Sequence, residues 1–574
     1  MILTTTISGR ATLGAILSLS ILAGACQKSS VPPGPSRTET GITAADARSR
    51  IYLVADDSMR GRESGAVGNF MMTSYVAREM ARLGLEPGGD NGTFFQTVPM
   101  IRRFADSSST LSVDGQSLNL FADFALLRPS SNVRFATALS PSTLQTVYGG
   151  RVGDTTVMLS EEAVRGRLVV FDAPLSPGGV PTGTYSTPAA SSISRFPTAA
   201  AFAIAALDLV MPAAMTSLKG SGVGLSEGGV SPMKLPFGLI VTAAAAEKMM
   251  GASLASLTAG ATGKPVATSV KFAERPVEAP ARNVVAIVRG SDGALRGQYV
   301  AIGAHSDHIA PARMPVDHDS LRAYNRIMRP NGADSRVART TGATPEEWAA
   351  IRATLDSLRR LRPPRPDSIY NGADDDGSGS VAVLEIAESL AGSPRPRRSI
   401  LLVWHTGEEA GLLGSAWFTD HPTVPHDSIV AQLNMDMVGR GTARDNPSGG
   451  PRNIQVIGSR RLSTDLGNVL DSVNARSAQP YRIDYSFDAP RHIQNRYCRS
   501  DHYMYARTGI PIAYLSRGYH QDYHMVTDEP QYINYDGLAR VATFVRDVAL
   551  AVANRNDRVR VDKPKPNPLA PCQQ

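Results

Sequence analysis

The chain has 574 residues, 42% of them hydrophobic and 19% charged, with a net charge of +7 and a pI near 9.3. That much apolar surface is unlike a disordered chain, and the length allows more than one domain. Lys and Arg are scattered, with no basic-aromatic platform or zinc-finger spacing, which argues against nucleic acid as a partner.

Arg10 is the only charge before a mostly apolar run, Ala11 to Ala25, that is too short and interrupted for a membrane span and reads as an export signal. It ends in Leu22-Ala23-Gly24-Ala25-Cys26, which resembles a bacterial lipoprotein cleavage box. Lipidated Cys26 would then attach the protein to a membrane. Ordinary signal cleavage is the alternative, since Ala23 stands where such boxes usually carry Leu. The reading is a signal peptide over 1–26 and a Ser/Pro/Gly-rich tether over 27–43, with the periplasm or cell envelope as destination. An outer-membrane lipoprotein is the anchored form. The other cysteines, Cys498 and Cys572, form either a disulfide in an oxidising compartment or two free thiols.

From Ala44 to Leu85 the pattern is helical, with Phe70, Met71, Val76, Met80 and Leu83 mostly on one face and Gly84 as a stop. A turn and short strands follow to about residue 130. Residues 131–275 are rich in Gly, Ala, Ser, Thr and Pro and read as a small β-rich insert. Within it, Arg167–Phe171 and Leu235–Val241 are expected strands, Ala199–Val210 an Ala-rich helix, and Ala243 the start of another. From Arg282, strands are expected at Val284–Val288, Tyr299–Ile302, Ile400–Trp404 and Ile429–Met435, and helices at Val381–Leu390 and Gly411–Phe418. Strands alternating with helices predict an α/β fold. The catalytic domain is assigned to 44–130 and 276–555, and the charged, Pro-rich tail over 556–574 is expected to be loose.

All ten His residues lie at or after His305, so a His-based metal site belongs to the second half. His305 follows a strand directly, and Asp307 is near enough to accept its other imidazole N–H and fix the tautomer. His308 is a bystander or a substrate contact. Asp374-Asp375-Asp376 leads into a helix, and three adjacent carboxylates need a cation or helix N-terminal donors. Glu408-Glu409 follows a buried strand, where one carboxylate can bind metal and the other carry protons. Asp436 closes another strand, and His524 ends Gln521-Asp522-Tyr523-His524.

In this order the five pieces resemble the zinc aminopeptidases of metallopeptidase family 28, two-zinc exopeptidases. The likeness extends to Gly89-Asp90-Asn91-Gly92, Arg282-Asn283-Val284-Val285, Ser500-Asp501-His502 and Gly509-Ile510-Pro511. It implies a three-layer α/β/α fold with a central mixed, mainly parallel sheet. The β-rich insert is similar to a protease-associated domain. The resemblance assigns His305 and Asp436 to one Zn2+, Glu409 and His524 to the other, and Asp375 to both, with a cis peptide after Asp375. Other divalent ions are compatible with such ligands. Glu408 becomes the general base, and Tyr523 a donor to the tetrahedral intermediate. Peptides with free N-termini are the implied substrates.

One departure is the stretch 310–370 between His305 and Asp375, with a helix expected over Thr344–Leu361. It reads as a lid over the active-site edge or as surface decoration. Gly224-Leu225-Ser226-Glu227-Gly228 matches a serine-hydrolase string without its strand-turn-helix context, and no His-Glu-x-x-His occurs. A glutaminyl cyclase or carboxypeptidase of the same fold, and a non-catalytic binding ectodomain, remain as alternatives.

Overall fold

The computed structural model describes residues 38–128, 134–154, 156–173, 195–210, 212–226, 234–332, 342–442, 445, 449–568 and 572–574. The expected signal peptide, Cys26 and the tether up to residue 37 lie outside the described residues. Among those described, no helix is long and apolar enough to cross a membrane.

Apolar runs build a nine-stranded central sheet among the described residues. Its strands are β1 (Glu86–Pro87), β2 (Phe95–Thr97), β3 (Arg282–Val288), β4 (Tyr299–His305), β5 (Ser399–His405), β6 (Ile429–Met435), β7 (Asn453–Ile457), β8 (Arg482–Asp484) and β9 (Ile512–Ser516). Their order is β1-β3-β5-β4-β6-β9-β7-β8, with β2 paired to β3. β4 runs parallel to β5 and β6, and β6 parallel to β9, whereas β3 and β7 are antiparallel to β5 and β9. Every residue of β4, β5, β6 and β9 is buried, as expected of strands covered on both faces.

The helices in this part of the chain, among the described residues, are α1 (Ala44–Val54), α2 (Val67–Arg82), α3 (His318–Met328), α4 (Pro345–Leu361), α5 (Gly377–Ala391), α6 (Leu413–Asp420), α7 (Thr464–Arg476), α8 (His502–Arg507) and α9 (Tyr535–Ala553). Successive strand residues face opposite sides. Val284, Ile302, Leu402 and Leu515 pack with α1, α2, α5, α7 and α9, while Val285, Ala301, Val403 and Tyr514 pack with α6 and α8. This is the expected three-layer α/β/α arrangement around a mixed sheet.

A ten-stranded second sheet, counted over the described residues, lies between Met100 and Pro276. Two expectations change here. Strands Met100–Ala105, Thr110–Val113 and Phe124–Leu126 pair within this sheet, so the β-rich region begins near residue 100 rather than 131. Short strands carry no mark of their partner, so the sequence alone does not locate this boundary. The Ala-rich helix expected over Ala199–Val210 is instead the strand Ala201–Ala205 followed by a turn of 3-10 helix, Leu207–Leu209. That strand lies between parallel strands Leu168–Asp172 and Phe237–Val241, and burial on both faces outweighs the helical preference of Ala.

The tail is not loose. Cys572 is bonded to Cys498, with 5.7 Å between their Cα atoms. Asp562 accepts from the Thr464 N–H at 2.9 Å, and Arg560 pairs with Asp465 at 3.0 Å. Composition alone reads as solvated chain because every one of these ties is long-range in sequence.

Among its described residues the stretch 310–370 holds two helices, where one is expected from the sequence. α4 begins as predicted, with Thr344 and Glu347 forming a capping box. α3 packs on it through Ala323, Met328 and Ile351. Both ends are closed by Val316–Asp317 pairing with Pro366–Asp367. Buried Asp319 accepts from Arg362 at 2.5 Å and 2.9 Å and from Arg365 at 3.1 Å. Burial alone would raise its pKa, but these two arginines outweigh it and hold it at about 2. Its pKa is depressed on folding, so its contribution is fully present above about pH 4 and is lost as pH falls toward 2. Amide exchange in α3 and α4 is expected to accelerate over that window, and Asp319→Asn to show the same opening at pH 7, by on the order of 1–2 kcal/mol. Unchanged exchange in the variant would show that Asp319 does not hold the helical pair.

Candidate metal centre

The four neighbouring parallel strands open their C-terminal ends on one edge, where side chains from different loops can meet. His305 is the last residue of β4, and Asp436 follows β6 directly. Glu408 and Glu409 follow β5 through a turn at Gly407, whose φ of 76° suits glycine. Asp375 precedes α5, and His524 lies in the loop after β9.

The Asp triplet divides its work. Asp374 Oδ1 accepts from the Gly439 N–H at 2.6 Å, and its Oδ2 lies 3.1 Å from His520 Nε2. Asp376 caps α5 by accepting from the Gly379 N–H at 2.9 Å, and it also accepts from the His305 N–H at 3.1 Å. Asp375, joined to Asp376 by a cis peptide, is the one whose carboxylate lies between His305 and His524. Asp528 Oδ2 accepts the N–H groups of Asp374 and Asp375, both at 3.0 Å. Buried Arg62 fixes the approach by donating to the carbonyls of Val54 at 2.8 Å, Asn371 at 2.5 Å and Gly372 at 2.8 Å.

Asp375 is shared between two groups. Its Oδ1 lies 3.2 Å from His305 Nε2, which is 3.9 Å from Asp436 Oδ1. Its Oδ2 lies 3.0 Å from His524 Nε2, which is 3.1 Å from Glu409 Oε2. The structure thus brings together all five residues expected as ligands. His308 joins them: its Nδ1 lies 2.7 Å from Glu409 Oε1, and its ring is fully buried. The sequence leaves His308 as a bystander or a substrate contact; the structure places it against Glu409. Asp501, quoted only for its motif, is also buried in this centre, and burial pushes it up to about 7 against the opposing charge of His305. Neither residue has a sequence signal beyond its place beside His305 or in Ser500-Asp501-His502.

Asp307 acts differently from expectation. His305 Nδ1 lies 3.1 Å from the Asp307 backbone carbonyl, whereas the Asp307 carboxylate is 3.7 Å away, beyond hydrogen-bond reach. The carboxylate accepts instead from the N–H groups of Glu408 at 3.1 Å and Glu409 at 3.3 Å. One residue therefore orients His305 through its backbone and the Glu pair through its side chain.

Tyr523 is buried, stacked on Tyr519 with centroids 4.3 Å apart, and its hydroxyl accepts from Arg499 at 3.1 Å. Its loop is held from two sides. Asp522 pairs with Arg440 at 2.8 Å and with Arg322 of α3 at 3.2 Å. Gly332 presses on the same loop: a Cβ there would lie 2.6 Å from that of Tyr523.

The donors fit a divalent cation. His305 Nε2 and Glu409 Oε1 are buried and make no hydrogen bond despite their close neighbours, as expected of atoms turned toward a shared ion. His305, Asp375 and Asp436 form one group, and His308, Asp375 and Glu409 another, with ligand atoms within 4.8 Å of one another in each. Burial raises Glu408 well above the ordinary carboxylate range, and Glu409, Asp436 and Asp501 add to this against the charge of His305. A bound cation supplies the opposite charge that ionises such a carboxylate.

Residues 336–549 match the sequence profile of Peptidase family M28. The chain is 27% identical over 229 residues to a probable leucine aminopeptidase 1 of Trichophyton verrucosum, covering 38% of this chain and 57% of that protein. It is 28% identical over 238 residues to leucine aminopeptidase 1 of Sclerotinia sclerotiorum, covering 39% and 57%. The chain thus spans 57% of the length of each of these relatives. An aminopeptidase of Aneurinibacillus sp. strain AM-1 superposes with a TM-score of 0.45 at 14% identity, covering 92% of this chain and 97% of that one. The matched segment contains Asp375, Glu408, Glu409, Asp436 and His524, so the likeness to Peptidase family M28 includes four of the five candidate metal ligands and the candidate base.

Proposed function

We propose that the chain is an exported aminopeptidase that removes N-terminal residues from peptides with two zinc ions. His305 and Asp436 would hold one ion, Glu409 and His524 the other, and Asp375 both. The observation that carries this reading is the position of Asp375, with one carboxylate oxygen toward His305 and the other toward His524. Bound there, the ions would supply polarisation of the scissile carbonyl and a water acidified toward neutral pH.

The chain's own residues supply the rest. Glu408 takes the proton from the attacking water and returns it to the departing amine. Asp307 fixes the backbone of Glu408 and Glu409, so base and ligand keep one relative position. The Tyr523 hydroxyl, steadied by Arg499, donates to the oxygen that gains negative charge. The substrate's free ammonium is held by this carboxylate-rich edge, which confines cleavage to N-termini. The Cys498–Cys572 disulfide supports an oxidising compartment, consistent with export.

Hydrolysis of aminoacyl-p-nitroanilides and their N-acetylated counterparts tests the reading. Zinc-loaded protein is expected to cleave the free amines at least about a hundredfold faster, with loss on chelation and recovery on adding zinc. Equal cleavage of blocked substrates, or none by folded and loaded protein, would overturn it.

A further inference from the structure

The side chain of His308 is fully buried, and neither of its ring nitrogens makes a hydrogen bond among the described residues. A buried polar group in that state has lost its water without a replacement, which is rare unless an ion or ligand completes it. The ring is also locked in place. The backbone N–H of His308 donates to the Arg62 carbonyl at 3.2 Å. Gly372 packs on one edge of the ring, where a Cβ would lie 2.6 Å from Cγ and from Cδ2.

The Nδ1 atom faces two carboxylates, 2.7 Å from Glu409 Oε1 and 3.9 Å from Asp375 Oδ2. Neither Nδ1 nor Glu409 Oε1 makes a hydrogen bond even so, which places the oxygen off the axis of a ring N–H. Two buried atoms that close, and not bonded to each other, both lack the partner that a shared cation supplies. His524 reaches the same two carboxylates, with its Nε2 3.0 Å from Asp375 Oδ2 and 3.1 Å from Glu409 Oε2. The two imidazole rings meet edge to face, with centroids 5.6 Å apart. Ligand atoms about 2.0–2.2 Å from one tetrahedral zinc ion lie roughly 3.5 Å from one another. The His308 separations of 2.7 Å and 3.9 Å bracket that spacing.

The other group is smaller, since His305, Asp375 and Asp436 offer three ligand atoms. Closed zinc sites use four protein ligands, whereas catalytic ones use three and leave a position for water or substrate. We propose that His308 Nδ1 is a fourth protein ligand of the second ion, beside Asp375, Glu409 and His524. That side of the centre is then closed by protein, and the side of His305 and Asp436 keeps the open position. The proposal rests on the two-zinc reading. Coordination through Nδ1 leaves the ring proton on Nε2, and the cavity of about 370 Å³ that His308 helps to line has room for a water to accept from it. The competing account is a hydrogen bond from His308 that only orients Glu409.

A crystal structure of the zinc-loaded protein, with the ions located by anomalous scattering, tests the assignment. Nδ1 is expected about 2.0–2.1 Å from the second ion. Two bound ions with Nδ1 more than about 3 Å from both would overturn the proposal and keep the two-zinc reading. His308 on an ion, in a protein that cleaves no free-amine peptide, would keep the ligand and sink the aminopeptidase. A single ion away from His308 would sink both. Zinc titration of chelator-stripped His308→Asn against a competing chelator gives a second readout. The Asn amide keeps a hydrogen-bond donor near the place of Nδ1 and is a poor zinc ligand. One ion is expected to weaken by more than the about 10–100-fold that losing a supporting hydrogen bond costs, while the other stays within about threefold. Two ions held at wild-type affinity by the variant would overturn the proposal, and the wild-type crystal structure decides the matter if the variant does not fold.

Discussion

Glu408→Gln is expected to lower kcat on a free-amine substrate by about 10²–10⁴-fold while zinc content and melting temperature stay close to wild type. The substitution keeps the length and shape of the side chain and removes only its capacity to accept a proton. The backbone is held independently of that carboxylate, since Asp307 accepts the N–H groups of both Glu408 and Glu409. The neighbouring Glu409 is held separately too, by His308 at 2.7 Å and His524 at 3.1 Å. Loss of charge at Glu408 should also relieve repulsion, because Glu409, Asp436 and Asp501 all act to raise its pKa. Metal analysis, thermal melting and kcat on the same preparation decide the matter. Activity within tenfold of wild type would remove Glu408 as the base, and a fall in bound zinc would make it a ligand instead.

Much of this centre was legible because four of the five candidate ligands, His305, Asp375, Glu409 and Asp436, end or follow a strand or precede a helix that the sequence marks, whereas His524 lies in a loop. The run Ile429–Met435 locates Asp436, and Ile400–Trp404 locates the Glu pair. What the sequence left open were contacts between distant segments. Asp307 is two residues from His305, yet its carboxylate goes to a loop about a hundred positions away, because the His305 ring meets the nearer backbone carbonyl. His308 has no periodicity or motif to separate a core histidine from a site residue. Its place is fixed by folding, when its N–H bonds to the Arg62 carbonyl at 3.2 Å and its ring reaches Glu409. The strand Ala201–Ala205 reads as a helix for the same reason, since a local pattern cannot announce two parallel neighbours.

The described part of the stretch 310–370 bears on the centre through Arg322 and Gly332. Arg322 reaches Asp522, two residues before His524, and lies 3.3 Å over the Tyr532 ring. His524 itself sits at φ 55°, a left-handed conformation that costs a non-glycine residue about 1 kcal/mol or more. Such a conformation persists when its surroundings over-determine it. Arg440, Arg322 and Gly332 together supply surroundings of that kind.

Asp375→Asn should separate metal binding from folding. The variant keeps the volume of the side chain and the backbone N–H bonds to Asp528, both at 3.0 Å, so the loop before α5 is expected to form. It removes a carboxylate that burial would push up and that His305 and His524 hold well below the ordinary range. Those histidines face separate groups of donors, so one change weakens both. Bound zinc is expected to fall to about half of wild type or less, and peptidase activity with it. In the wild type, metal at 100 to 1,000 times its dissociation constant adds about 3–4 kcal/mol to stability, so a chelator should lower the melting temperature. In Asp375→Asn the chelator should lower it far less, since little metal is bound to be removed. A variant that keeps both its zinc and the full chelator-induced drop would show that Asp375 is not the shared ligand, and the two histidine groups would then have to hold their ions independently.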